Sequence, residues 1–313
     1  RSMQTPAPTG STTARDALFV ALGLVTIAFV VVIVKALREK AATEKVSSPP
    51  SMWIVSFIAN FFDTLGIGSF ATTTSMFRQW RMVADEKIPG TLNVGYALPT
   101  IVQAYIYTKI VPVDSTTLIL MILAAVLGAW LGAGVVSSWP RRTVQLAMGS
   151  ALLGAATIVV LKQLNITPAG GNLLQLSGTK LIIGVAGNFI LGALMTMGIG
   201  LYAPSMILIS LLGMNPTTAF PIMMGSCAFL MPLASVRFVR TGGYDPRAMI
   251  GMMLAGIPAV LIAAFIVKSL PLTAVNWLVV VVVAYTAINL LRAARREKDI
   301  AAAATRAETQ PAI

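Results

Sequence analysis

Nine apolar stretches of at least 18 residues follow one another along this chain, at about 17–34, 52–76, 89–108, 115–138, 143–161, 181–213, 217–236, 248–267 and 272–291. At 1.5 Å per residue, each is long enough to cross a hydrocarbon layer about 30 Å thick as a helix. Only 11% of the residues are charged, against about 25% in soluble domains. The chain lacks the polar surface that a water-soluble globule of this size needs. Most of it must face lipid or membrane-buried protein, so the fold class is an all-α polytopic membrane protein.

The net charge of +12 does not point to nucleic acid. The basic residues stand in short clusters between apolar runs, the pattern that orients a membrane protein. Those clusters are expected to meet the headgroups of the lipid bilayer on the cytoplasmic face. There is one cysteine, Cys227, and no histidine. A multi-cysteine metal site, imidazole relays and Ser-His catalysis are therefore absent from the repertoire. Asp63 is the single carboxylate inside the apolar stretches. The expectation is a protein that is not an enzyme, with no cofactor and no metal.

Two of the stretches share an interruption. Gly66-Ile67-Gly68-Ser69-Phe70-Ala71 returns 132 residues later as Gly198-Ile199-Gly200-Leu201-Tyr202-Ala203. Glycine costs a helix interior about 1 kcal/mol against alanine. Matched glycine breaks in two halves point to a transporter binding site. Pro89 and Pro221 keep the same offset, and Asp114 and Asp245 lie 131 apart, each just before the next apolar span. The chain therefore divides into an expected disordered N-terminus (1–14), a transmembrane helix with a cytoplasmic linker (15–50), repeat 1 (51–163), a connecting loop (164–180), repeat 2 (181–292) and a cytoplasmic tail (293–313).

Counting lysine and arginine weighs two topologies. Nine full spans place 15 of the 23 basic residues inside, with Arg78, Arg81, Lys87, Arg141 and Arg142 outside. If each glycine-broken stretch enters and returns to its own side, 17 lie inside and every substantial cluster shares one face. Each repeat is then a re-entrant hairpin plus three transmembrane helices. Because three is odd, the repeats are inverted and their broken tips converge. The expected orientation is N-terminus outside and C-terminus cytoplasmic; nine full spans remain the alternative.

A helix restarting after a break presents unpaired N–H groups and about half a positive charge, a ready anion site. Gly66, Gly68, Ser69, Phe70, Thr72 and Thr73 surround the first break. Gly198, Gly200, Tyr202 and Ser205 surround the second, with Pro204 near a helix start, where its missing N–H matters least. Close packing of small residues is the plainer alternative for the glycines. Asn93, Tyr96 and Gln103 form a polar stripe at helical spacing, and Ser226 lies in the matching span of repeat 2. Asp63 reads either as a proton-coupling group or as a neutral or capped structural aspartate. Asn60 and Asn188 stand ready to bond ligand or to lock hairpin backbone, and Cys227 reads as a small buried hydrophobe.

The phrases Phe62-Asp63-Thr64-Leu65-Gly66-Ile67-Gly68-Ser69-Phe70-Ala71, Ile88-Pro89-Gly90-Thr91-Leu92-Asn93 and Phe220-Pro221-Ile222-Met223-Met224-Gly225-Ser226-Cys227-Ala228 resemble the sulfite exporter TauE/SafE family, also called TSUP or DUF81. The resemblance covers roughly 52 to 292. It implies a multi-pass permease of the bacterial inner membrane for sulfite, organosulfonates or related small anions, often as an exporter. Many relatives carry a glycine triplet where this chain has Gly66-Ile67-Gly68. Together the residues and the resemblance lead to a secondary transporter of a small sulfur-containing anion, working by alternating access. A coupled proton and a homo-oligomer are compatible with it; a passive anion channel, or a permease for another carboxylate or oxyanion, is the alternative.

Overall fold

A computed structural model describes residues 12–42, 46–66, 68–136, 140–164, 171–195, 200–269 and 271–309. The described residues form eleven α-helices and no strand. α1 (Thr12–Ala41) begins inside the segment expected to lack order. There follow α2 (Pro50–Thr64), α3 (Ser69–Gln79), α4 (Ile88–Ile110), α5 (Ser115–Val136) and α6 (Arg141–Gln163). The second series is α7 (Gly178–Met195), α8 (Tyr202–Leu211), α9 (Ala219–Thr241), α10 (Pro246–Ser269) and α11 (Leu272–Thr309). In each series two helices flank the glycine break, a 3₁₀ turn follows, and three longer helices close the set.

Length and hydropathy suit Thr13–Ala41, Gly178–Met195, Pro216–Thr241 and Pro246–Ile266 to crossing a membrane; Ser115–Leu131 and Tyr202–Leu211 are shorter apolar helices. The outward faces carry Ile182, Trp130 and Phe265, all strongly exposed, the apolar exterior that lipid requires. With the family finding below, this makes the chain a multi-pass membrane protein.

Packing pairs helices from the two series. α2 lies against α10, α5 against α7, α4 against both α9 and α10, and α6 against α11. Small residues let α5 and α7 approach: a Cβ at Gly192 would sit 2.0 Å from the Ala125 carbonyl oxygen, and one at Gly128 1.9 Å from that of Phe189. Asn188 adds a polar tie by donating to the Met121 carbonyl at 2.7 Å. Small residues that admit backbone contact are the usual substitute for hydrophobic drive between helices in lipid.

The loops gather at two ends. At one, Thr91 accepts the Asp245 N–H at 2.9 Å, and the Lys40 ammonium lies 4.4 Å from the centroid of the Tyr244 ring. At the other, Arg15 donates to the Val111 carbonyl at 3.1 Å. There Asp114 N–H donates to the Leu174 carbonyl at 2.9 Å, and Asn215 N–H donates to the Leu173 carbonyl at 2.8 Å. Asp114 and Asp245, the sequence landmarks, do one job. Asp114 accepts the Thr117 N–H at 2.8 Å at the start of α5, and Asp245 accepts the Arg247 N–H at 2.8 Å at the start of α10.

Candidate functional site

The first helix break turns through Leu65 and Gly66, with Gly66 at φ +96° and Gly68 at φ +80°. Side chains rarely adopt these angles, so glycine is required for the chain to leave α2 and restart as α3. Gly68 has no side chain with which to cap α3. Asp63 does so from the preceding helix, accepting the Ser69 N–H on Oδ1 at 2.6 Å. This differs from the expectation of two open positive helix ends. The first end already holds a carboxylate from its own hairpin, a favourable charge–dipole contact.

The other Asp63 oxygen accepts a hydrogen bond from Gln103 Nε2 at 3.0 Å, and the same nitrogen donates to Thr64 Oγ1 at 2.8 Å. Gln103 Oε1 accepts from the Tyr202 hydroxyl at 2.9 Å. Tyr202 is the first residue of α8, so one amide touches groups beside both breaks. Asp63, Thr64, Gln103 and Tyr202 are all buried. The breaks also meet through packing: a Cβ on Gly66 would lie 3.3 Å from Met206 Sδ of α8. Thr64 and Tyr107 belong to this cluster but were not singled out in the sequence. Thr64 Oγ1 donates to the Asn60 carbonyl at 2.8 Å, and the Tyr107 hydroxyl to the Thr64 carbonyl at 3.2 Å. Tyr107 stands four residues after Gln103, on the same helix face, which is the signal that could have found it.

A second group forms beside the first. The hydroxyls of Thr73 and Tyr96 are hydrogen-bonded, and the Phe70 and Tyr96 rings lie 6.2 Å apart. Thr72 turns its hydroxyl back to the Ser69 carbonyl at 2.9 Å, so it serves the helix first. Asn93 is half-buried and donates to the Pro89 carbonyl one turn back, at 2.9 Å, rather than to the cluster. Ser226 donates to the Ile222 carbonyl and accepts from Asn188, which places it in the α7–α9 contact. Asn188 thus locks helices, while Asn60 donates to the Ser56 carbonyl. Cys227 is buried, 3.6 Å from Met195 Sδ.

At the second break Gly200 is exposed, and a Cβ there would meet nothing within 4 Å. Leu201 supplies α8 with no side-chain cap, and no acidic residue stands in its first turn. Ser205, in that first turn, is fully buried, and its hydroxyl has no partner among the described residues. Gly198 lies outside the described residues. The two breaks are therefore chemically unlike: one is filled by its own aspartate, the other opens at Gly200.

Residues 180–313 match the family described as Sulfite exporter TauE/SafE. This part of the chain belongs to the TauE/SafE family. The match takes in α7 to α11 nearly whole, with the tail beyond residue 292, where the resemblance was expected to end; it does not extend over 52–179, where the resemblance was expected to begin. No curated protein and no solved structure matches the chain. The family is one of membrane transporters of sulfur anions rather than of enzymes.

Proposed function

We propose that the chain is a secondary transporter, working as an exporter, of a small sulfur-containing anion such as sulfite or an organosulfonate. The anion is held at the start of α8, beside Gly200, Tyr202 and Ser205. The observation that carries this reading is the convergence of both helix breaks on the single buried amide of Gln103. A polar point shared by two broken helices inside an apolar bundle is where an ion can be held without lipid contact. Among the described residues no side chain caps the start of α8, and such a helix start supplies about half a positive charge to an anion with no buried lysine or arginine.

Two inverted repeats moving against each other give alternating access. The helix pairs support this reading: exchanging the first series for the second turns the α2–α10 pair into the α7–α5 pair, and α4–α9 and α6–α11 into themselves. The loop ends support re-entrant hairpins. With nine full spans, the loop at 171–177 and the turn after α8 lie on opposite membrane faces, yet Leu173 and Met214 form a backbone bridge. The basic clusters then orient the protein with its N-terminus outside and C-terminus cytoplasmic, in the bacterial inner membrane.

Proteoliposome counterflow tests the function. Purified protein should exchange labelled sulfite, thiosulfate or small sulfonates, with saturation, in preference to sulfate and carboxylates. Conductance that does not saturate, without counterflow, identifies a pore instead and rejects the transporter reading.

A further inference from the structure

Gln103 uses all of its amide chemistry. Nε2 gives one proton to Asp63 and one to Thr64, and Oε1 accepts from Tyr202. Asp63 accepts on both oxygens, from Ser69 N–H and from Gln103. With the amide in this orientation the pattern suits an ionised carboxylate. A protonated Asp63 that donates from Oδ2 toward Gln103 meets a donor there, while the Ser69 and Tyr202 hydroxyls also lie beside the carboxyl group.

We propose that Gln103 is a positioning residue that transmits the protonation state of Asp63 to the second helix break by turning its amide over. When Asp63 takes a proton from solvent, its O–H donates to Oε1 of the turned amide. Nε2 then faces Tyr202 and donates to the phenol oxygen, so the Tyr202 O–H must leave Gln103 and find another acceptor. The Thr100 side chain, which already interacts with the Tyr202 hydroxyl, offers that acceptor. Thr64 Oγ1 loses its donor in the turned state. Its own proton, now given to the Asn60 carbonyl, is then free to serve Oε1. One proton at the first break thereby rewrites the hydrogen bonds at the first residue of α8, which links proton uptake to the anion site. This deepens the transporter reading above and rests on it for its meaning, though not for its test.

Few other groups compete for the role. Among the described residues, the ionisable side chains facing the cluster are Tyr202 from α8, Tyr96 and Tyr107 from α4 and Cys227 from α9. α3 carries Arg78 in its last turn, and α10, packed on α2, carries Arg247 and Lys268 at its two ends. Gln103 is hydrogen-bonded both to Asp63 and to the second break; the Tyr202 hydroxyl also interacts with Asp63 directly, and the Gln103 variants below separate the amide relay from that direct contact.

The test is pH-difference infrared spectroscopy on the full chain in lipid vesicles. Asp63→Asn identifies the Asp63 carboxylic acid C=O band by its loss, and Tyr202→Phe identifies the Tyr202 C–O band in the same way. In the wild type, both bands should change with one shared midpoint. In Gln103→Leu the carboxylic acid band should persist at higher frequency, having lost its acceptor, while the Tyr202 band stops responding to pH. Gln103→Met, close in length and without an amide, serves if the leucine variant does not assemble. The proposal is overturned by a Tyr202 band that titrates unchanged in the variants, by one that is static in the wild type, or by no Asp63 band over the accessible pH range. Cargo does not enter this measurement. Absent counterflow with intact coupled bands rejects the transporter reading alone, and normal counterflow with uncoupled bands rejects the Gln103 role alone.

Discussion

Gly200→Leu separates the anion site from the packing of the bundle. Gly200 is exposed, has no positive φ, and a Cβ there meets no atom within 4 Å. The substitution therefore changes stability by no more than about 0.5 kcal/mol, as at other unconstrained surface positions. Its effect on binding is larger. Half a positive charge at the start of α8, about 4 Å from an anion in an effective dielectric of about 20, contributes about 2 kcal/mol. A leucine side chain at the mouth of that site displaces the anion from it, which corresponds to ~30-fold weaker binding. Gly68→Leu is the less informative variant, because φ +80° adds about 1–2 kcal/mol of backbone strain for any side chain. The assay pairs proteoliposome flux, measured over a range of anion concentrations, with thermal unfolding in detergent. Wild-type flux in Gly200→Leu refutes the placement of the anion. Flux lost together with the melting temperature refutes the claim that this position is free of packing.

Three further outcomes follow from the geometry. Gly192→Leu drives side-chain atoms into the Ala125 carbonyl, 2.0 Å from the position of a Cβ. It should destabilise by roughly 3 kcal/mol, whereas Gly154→Leu inside α6, with nothing within 4 Å, should keep or raise the melting temperature, since glycine is the poorer helix former. Asp114→Ala and Asp245→Ala should each lower stability by about 1 kcal/mol through loss of a helix cap, with wild-type apparent affinity for the anion in the flux assay. Cysteines introduced at Arg81 and Arg142, in a chain with Cys227 replaced by alanine, should both be labelled by an impermeant thiol reagent from the cytoplasmic face. Labelling of either from the opposite face removes the hairpin topology.

Much of the frame was legible from spacing. The glycine breaks, the prolines near residues 89 and 221 and the paired aspartates mark equivalent places, and Asp114 and Asp245 turn out to cap equivalent helices. Asp63, Gln103 and Tyr202 were singled out one at a time, each from its own segment. Their union was not legible, because helical periodicity reports which residues share a face but not which helix that face meets. Tyr202 and Gln103 lie 99 positions apart, and nothing in either segment encodes the other. The capping of Ser69 by Asp63 was hidden for a local reason. It reaches across six residues through two positive-φ glycines, whereas caps are read from sequence at the residue adjoining the helix. Asn93, Thr72 and Ser226 show what spacing leaves open. Each was singled out as a polar side chain near the breaks, and each hydrogen-bonds to nearby backbone.

An aspartate beside an anion site also fixes the sign of the pH dependence. An anion held about 7 Å from ionised Asp63, at an effective dielectric of about 20, is opposed by about 2 kcal/mol. Protonating Asp63 removes that repulsion, so anion affinity rises as the pH falls, by up to ~30-fold. By reciprocity, a bound anion favours the protonated aspartate by the same factor, so proton and anion occupy the site together. Asp63→Asn keeps an oxygen for the Ser69 N–H and carries no charge. It should bind about 30-fold more tightly at neutral pH and lose the pH dependence. The probe should be an alkyl sulfonate, which stays ionised throughout, because sulfite changes its own charge near neutrality and would blur the result. Titration calorimetry at several pH values reads the affinity directly. Equal sulfonate affinity at acid and neutral pH in the wild type, or weaker binding by Asp63→Asn, refutes electrostatic coupling between this carboxylate and the cargo.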